Sequence, residues 1–411
     1  MKEETKKNKF VSSSKLTKVE IKETLLSKIA EENCKIKDLN VPNIDYSHLK
    51  YDTKKINVVS LFSGAGGLDL GMELAGIYAN NRNLNTNPME LLNDYKEYKK
   101  ERKTSIFNIV YSNDMFKEAN ETYVSNFSKN VFKHEMDIRK IPNFPKCELM
   151  IGGFPCPGFS AAGPRLIDDE RNFLYIHFIR ALLQSQPEFF VAENVKGLMT
   201  LAKGEVFKQV IEDFSSAGYE IKAFLVNSKD YGVPQLRERV FMVGVHRSKL
   251  SQKFEYNLPE PTNGLLNGQS PYVTLQDAIY DLKDSPGDYF EGGFSSMYLS
   301  RNRKKRWDEL SFTIQASGRQ APLHPDGEPM KKIDKDIWNL MGAENRRLSV
   351  KEVSRIQTFP DWFKFSEGNN IKVSKNHRLN LQYKQIGNAV PVKLAFEMFL
   401  PIAKYLGNNV N

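Results

Sequence analysis

A cysteine stands between two prolines in the stretch GGFPCPGFS, residues 152 to 160, directly after the apolar run CELMIGG. Pro155 and Pro157 restrict the backbone on both sides of Cys156 and aim its sulfur. A thiol is nucleophilic as the thiolate, so basic neighbours or a helix N-terminus are expected to lower its pKa. Most lone cysteines are small buried hydrophobes, and Cys34 and Cys147 take that reading. Farther on, the apolar run PEFFVAE meets Glu193 and Asn194. A carboxylate at the end of a buried strand needs a partner or a task, and burial favours its protonated form, which suits a proton donor. Gln235, Arg237 and Arg239 then alternate in QLRER on entry to another apolar run. Residues two apart on a strand share a face, so both arginines are expected to point at one site. A thiol, an acid and two fixed cations make a site for nucleophilic catalysis.

A second constellation lies upstream. VVSLFSGAGGLDLGMELAG reads as a strand, a tight glycine turn and a helix. Gly64, Gly66 and Gly67 allow the backbone to approach a bulky ligand at the helix N-terminus. A dinucleotide fingerprint would place a third glycine at position 69, where Asp69 stands and would repel a pyrophosphate. The loop therefore suits a ligand without phosphates, such as a nucleoside with a charged amino-acid tail. Asp114, after IVYSN, occupies the place of a ribose-gripping acid, and Asp137 in HEMDI follows as an acceptor for an exocyclic amine.

Strand–helix alternation must position these residues. INVVSLF, NIVYSND, CELMIGG, PEFFVAE, YEIKAFLVN and RVFMVGV read as buried strands, with FLYIHFIRALLQSQ and GEVFKQVIEDFSSAG as helices between them. That pattern predicts an α/β fold with a doubly wound, mostly parallel sheet. Cys156 then follows a strand at its carboxyl end, where ligands of open α/β sheets collect. The segment before residue 56 carries a Thr17–Glu20 capping box and Ile21, Leu25 and Ile29 at helical spacing. Residues 80 to 105 form a long polar connection expected to be a surface excursion with a helix of its own. Residues 247 to about 345 are loop-rich and contain the basic run RNRKKRW; helical signal resumes at LSVKEVSRIQTF and VPVKLAFEMFLPIAKYL. The expected division is an N-terminal extension (1–55), a first α/β domain carrying the thiol site (56–246), an inserted loop-rich module (247–345) and a C-terminal return to the first domain (346–411).

The 411 residues, 40% hydrophobic and 27% charged, describe an ordinary globular protein. Three cysteines without metal-type spacing argue against a disulfide framework or a zinc site. No metal is expected. The formal charge of +9 is compatible with a polyanionic partner. Without a signal-like or membrane-spanning run, a cytoplasmic protein is expected, and a monomer is expected separately.

In order along residues 56 to 406, FSGAGG, GFPCPGFS, ENV, QLRER, RRLSVKEVSRIQTFPDWF and QYKQIGNAVP resemble the motifs of the cytosine-C5 DNA methyltransferases. A variable stretch between QLRER and RRLSVKE adds to the likeness. The resemblance implies a Rossmann-like methyltransferase fold with a smaller target-recognition domain. It implies S-adenosylmethionine held by Phe62, Ser63, Gly64, Gly66, Gly67 and Pro155, with Asp114 on the ribose and Asp137 near the adenine amine. Ile138 and Leu174 would line the adenine pocket, and Asn388 and Val390 would close the site. Met115 stands where relatives often have an aromatic residue stacking on adenine. Cys156 would add to cytosine carbon 6, Glu193 would bond N3 and the exocyclic amine, and Arg237 and Arg239 would stabilise charge near the carbonyl. Double-stranded DNA is the implied partner, contacted by Ser160 and Arg165 of a closing loop, by Gln235, and by Arg303 and Arg319 of the recognition module. A role in protecting DNA from a cognate restriction endonuclease follows from the same likeness. A tRNA methyltransferase and a catalytically inactive DNA-binding regulator on this fold are the alternatives. A nucleotide-dependent oxidoreductase is disfavoured by Asp69.

Overall fold

Apolar runs become strands where both faces are covered, and helices form where the apolar residues recur on one side. A computed structural model of the chain describes residues 17–81, 88–155, 174–249, 254–292, 294–295, 304–328, 331–334, 337–339, 341–342, 344–370 and 372–409. Its first elements are α1 (Lys18–Asp38), β1 (Ile56–Leu61), α2 (Gly67–Asn80), α3 (Tyr95–Glu101), β2 (Phe107–Asp114), α4 (Lys117–Asn126) and β3 (Phe132–Glu135). Then come β4 (Leu149–Gly152), α5 (Leu174–Ser185), β5 (Phe189–Val195), α6 (Gly197–Thr200), α7 (Glu205–Ser216), β6 (Tyr219–Asn227) and β7 (Glu238–His246). After these the chain forms α8 (Leu275–Ile279), α9 (Val350–Ile356), α10 (Lys375–Asn388) and α11 (Val392–Asn409). Strands β1 to β7 make a mostly parallel, seven-stranded sheet of the doubly wound α/β class.

The chain divides into two compact units. One comprises the described residues up to Ser47, Asp137–Leu225 and Arg239–Phe254. Its strands lie in the order β4-β5-β7-β6, with β4 parallel and β7 antiparallel to β5. Helix α1 begins at the Thr17–Glu20 capping box and buries Ile21, Leu25, Ile29 and Ile36. Cys34 on this helix is exposed, which corrects its reading as a buried hydrophobe, whereas Cys147 is buried. The helix is amphipathic, and Cys34 falls on its wet side.

The other unit comprises His48–Met136, Val226–Glu238 and Glu255–Asn411. Here β3, β2 and β1 pair in parallel, and every residue of β1 is buried. Helix α2 packs closely on α11, because a Cβ at Gly71 would lie only 2.4 Å from the Cβ of Ala395. One apolar stretch, Lys375–Asn408, is long and apolar enough by composition to cross a membrane, but 78% of its most apolar window is buried, as in a core helix. The loop-rich residues after 254 are held to α9 and α10 by a core that includes Leu275, Phe290, Ile314, Val353 and Tyr383. A small sheet, β8 (Phe294–Ser295), β9 (Lys331–Asp334) and β10 (Ile337–Asn339), is paired in the order β8-β10-β9.

Candidate active site

In the antiparallel ladder of β5 and β7, Glu193 faces Phe241 and Val195 faces Arg239. Glu193 and Arg239 are therefore diagonal neighbours on one face of the sheet. Arg239 Nε donates to Glu193 Oε1 at 2.9 Å, and the two side chains are only 13% and 12% exposed. Burial pulls the Arg239 guanidinium below its ordinary pKa, while the charge of Glu193 opposes that shift. A Cβ at Gly153 would come within 2.9 Å of Glu193 Oε2, so this glycine leaves room for the acid. Asn194 Nδ2 donates to the Phe154 carbonyl at 3.1 Å, and Asn194 Oδ1 accepts from the Val195 amide at 2.8 Å. The ENV tripeptide thus ties the end of β5 to the residue two before Cys156. Phe154 rests among the rings of Tyr175, Phe178 and Phe214, and Pro155 is exposed beyond it. Cys156, Ser160 and Arg165 lie outside the described residues, as does Arg303.

Arg237 departs from expectation. It is 1% exposed, and its guanidinium donates to the carbonyls of Ile314 at 3.1 Å, Gly387 at 2.9 Å and Ala389 at 2.9 Å. Sequence spacing placed it with Arg239 at one reacting group; instead it fastens QLRER to IGNAVP. Gln235, expected at DNA, is fully buried. Its Nε2 donates to Gln357 Oε1 and to the Ile356 carbonyl, and its Oε1 accepts from the Ile314 amide. A side chain so enclosed is scaffold rather than reader. Arg319 is exposed, on a short 3-10 turn at Gly318–Gln320.

The glycine loop is strained and open on one side. Phe62 has φ +53°, a left-handed conformation uncommon for a bulky residue. Gly64 also has φ +53°, and a Cβ there would meet nothing within 4 Å among the described residues. At Gly67 a Cβ would press to 2.3 Å from the Val390 carbonyl, which is why the loop and IGNAVP fit together. Ser63 donates its amide to the Asn113 carbonyl at 3.0 Å. Asp114 accepts from the Gly64 amide at 2.9 Å and the Phe116 amide at 2.8 Å. Burial raises its pKa, with those amides opposing. Met115 is 65% exposed. Asn388 is exposed at the end of α10, and Val390 is buried. Asp69, read as a carboxylate that would repel a pyrophosphate, is fully buried and accepts from the Tyr123 hydroxyl at 2.8 Å. Burial pushes its pKa up to about 6.

Asp137 caps a 3-10 turn and holds Arg139, whose Nη2 lies 2.6 Å from Asp137 Oδ2. Burial works to raise the Asp137 pKa, but the Arg139 bonds outweigh it and the pKa is lowered. An amine at this carboxylate would share it with Arg139. Ile138 is buried and Leu174 half-buried. Sequence reasoning missed two cations. Arg180 donates to the Ile138 carbonyl at 3.0 Å and the Ile141 carbonyl at 2.7 Å, holding the turn after Asp137. Lys384 sits with Nζ 3.9 Å from the centre of the Phe116 ring and lowers the Asp114 pKa by its charge. The signal for Lys384 was present in QYKQIGNAVP; for Arg180, inside an apolar helix, the lone charge was the clue.

Residues 56–404 match the family model of the C-5 cytosine-specific DNA methylases. The chain is 57% identical to the Type II methyltransferase M.BsuRI of Bacillus subtilis over 98% of its own length and 92% of that protein's. It is 56% identical to the Type II methyltransferase M.BspRI of Lysinibacillus sphaericus, covering 97% of this chain and 93% of that one. Among solved structures, a prophage-encoded E. coli DNA modification methyltransferase matches with a TM-score of 0.59 at 22% identity, covering 86% of this chain and all of that one, and shares its fold. The chain belongs to the C-5 cytosine-specific DNA methylases and is a cytosine-C5 DNA methyltransferase of the bacterial restriction-modification type.

Proposed function

We propose that the protein transfers the methyl group of S-adenosylmethionine to carbon 5 of a cytosine within a specific duplex sequence, acting as a cytoplasmic monomer that protects this DNA from a cognate restriction endonuclease. The observation that carries the reading is the buried Glu193–Arg239 pair beside Gly153. It supplies an oriented acid and a cation beside Gly153, which stands three residues before Cys156 and its flanking prolines.

The glycine loop fits the cofactor: Gly64 opens onto space that no side chain among the described residues fills, and Asp114 offers a buried carboxylate beside it. Phe62, Ser63, Gly64, Gly66, Gly67 and Asp114 would hold the nucleoside. Asp137, Ile138, Pro155 and Leu174 would serve its adenine end, with Asn388 and Val390 closing the site. When bound, S-adenosylmethionine supplies an electrophilic methyl group on a sulfonium centre.

Cytosine carbon 5 is too weak a nucleophile unaided. The Cys156 thiolate adds to carbon 6, which makes carbon 5 enamine-like. Glu193 delivers a proton at N3 and accepts from the exocyclic amine. Arg239 orients that acid and offers positive charge toward the base carbonyl. After carbon 5 takes up the methyl group it gives its proton to solvent, the Cys156 thiolate is expelled, and N3 returns its proton to Glu193. Arg237 acts by positioning, through the carbonyls it holds. A stacked base cannot present carbon 6, so the target nucleotide must leave the duplex at a cost of about a few kcal/mol. Ser160, Arg165, Arg303 and Arg319 are assigned to DNA contacts. The division at residues 55, 246 and 345 is proposed on the same footing, with 247–345 as the recognition module.

Incubation with duplex DNA carrying 5-fluorocytosine at the methylated position should trap a covalent adduct, because fluorine cannot leave as a proton does. Cys156→Ser should abolish the adduct and methyl transfer yet retain DNA binding. Label from S-adenosylmethionine appearing only in tRNA, or no adduct from active enzyme, would overturn the reading.

A further inference from the structure

The connection at residues 88–104 lies against α2, the helix that follows the glycine loop, and two of its side chains, Tyr98 and Arg102, bond Glu73 there. Tyr98 is 1% exposed and donates from its hydroxyl to Glu73 Oε2 at 2.7 Å. Arg102 donates to Glu73 Oε1 through Nε at 3.0 Å and Nη2 at 2.8 Å, while its Nη1 reaches the Asn126 carbonyl at 3.1 Å. Glu73 lies on α2, one helical turn beyond Asp69. The Arg102 guanidinium also covers the Phe127 ring, 5.2 Å from its centre. Phe127 stacks on Tyr123 at 4.0 Å, and Tyr123 bonds Asp69. These two rings form the wall against which Gly66 rests: a Cβ there would overlap Phe127 at 2.3 Å. From the other side, Trp362 stacks on Tyr98 at 5.2 Å and donates to the Leu92 carbonyl at 2.8 Å.

We infer that residues 88–104 are a positioning element for the methyl-donor site, with Arg102 setting the seat of Gly66 through Phe127 and Tyr123. The inference rests on the glycine loop being the cofactor loop. A buried ion pair joins the connection to α2, a cation lies over the ring that Gly66 touches, and no side chain of 88–104 is asked to touch the cofactor. Arg102 is thus a positioning residue. Its expected signature is weaker cofactor binding with the chemical step intact, because the reacting groups of β5 and β7 lie on other elements.

The test uses the full-length enzyme and Arg102→Met, with Arg102→Lys as the conservative variant. KM for S-adenosylmethionine should rise about fivefold to tenfold in Arg102→Met. KM for duplex DNA and kcat at saturating cofactor should stay within about twofold of wild type, and Arg102→Lys should recover most of the loss. Where Arg102→Met fails to fold, Tyr98→Phe removes one hydroxyl and should shift the same constant more modestly. Direct titration of cofactor onto wild-type protein separates the two readings. Wild-type protein that binds no S-adenosylmethionine would remove the cofactor assignment. Folded variants that bind it as tightly as wild type, or lose kcat and DNA affinity equally, would overturn the inference.

Discussion

Glu193 is a buried carboxylate held in one orientation, and the proposed proton transfer depends on it. Its partner Arg239 lies diagonally across the ladder, and Gly153 withholds a side chain from its other oxygen. Glu193→Gln keeps the size and an oxygen for Arg239 but removes the transferable proton. Single-turnover methylation should slow by about 10² to 10⁴, with specific DNA binding retained in a filter or gel-shift assay. Near-wild-type turnover would remove Glu193 from the chemistry. Asp69 carries a different consequence, because burial raises its folded pKa from 3.8 to about 6. Its contribution to stability is complete below pH 3.8, is lost as pH rises from there to about 6, and stays lost above. Denaturant unfolding of wild type and Asp69→Asn across pH 3.5 to 7.5 should therefore diverge over that window, by about 3 kcal/mol at its upper end. Parallel curves would mean that Asp69 ionises freely in the folded protein.

At the scale of elements, close approach of α2 to α11 matters more than intrinsic helix preference. Alanine is a better helix former than glycine by about 1 kcal/mol, so Gly71→Ala would be stabilising on an isolated helix. Here the new methyl group would meet the Ala395 Cβ at 2.4 Å and the Val392 carbonyl at 2.5 Å. Backbone cannot yield as a flexible side chain does, and overpacking of this kind costs about 1–3 kcal/mol. Thermal melting should show Gly71→Ala less stable than wild type; a raised Tm would show that the two helices separate freely. The elements also differ in how plainly they were written. The fully apolar β1 and the periodic α1 were readable because a short window contains the whole signal. Strand β3, FKHE, was missed because it is short, polar and paired only with β2. The connection at 80–105 was read as an exposed excursion with a helix, and α3 is there, but its Tyr98 is buried. Charge-rich composition concealed a single inward-facing aromatic, Tyr98.

For the molecule as a whole, chain order is not spatial order. The last helix, α11, returns to α2, and IGNAVP meets both the glycine loop, through Val390 and Gly67, and QLRER, through Arg237. Motif order therefore carried the family and the chemistry, because each motif is a local arrangement: glycines at a strand end, a cysteine between prolines, an acid closing an apolar run. These, with the alternation of strand and helix, were determined by the sequence alone. The direction of the buried polar side chains was decided only by tertiary structure. Arg237 and Gln235 sit on the expected segment, yet their partners lie at Ile314, Ile356, Gln357, Gly387 and Ala389. Asp69, whose charge alone was legible, is turned inward toward Tyr123. A buried donor or acceptor must find a partner wherever the fold brings one, and residues a hundred positions away leave no trace in the local pattern that names the strand.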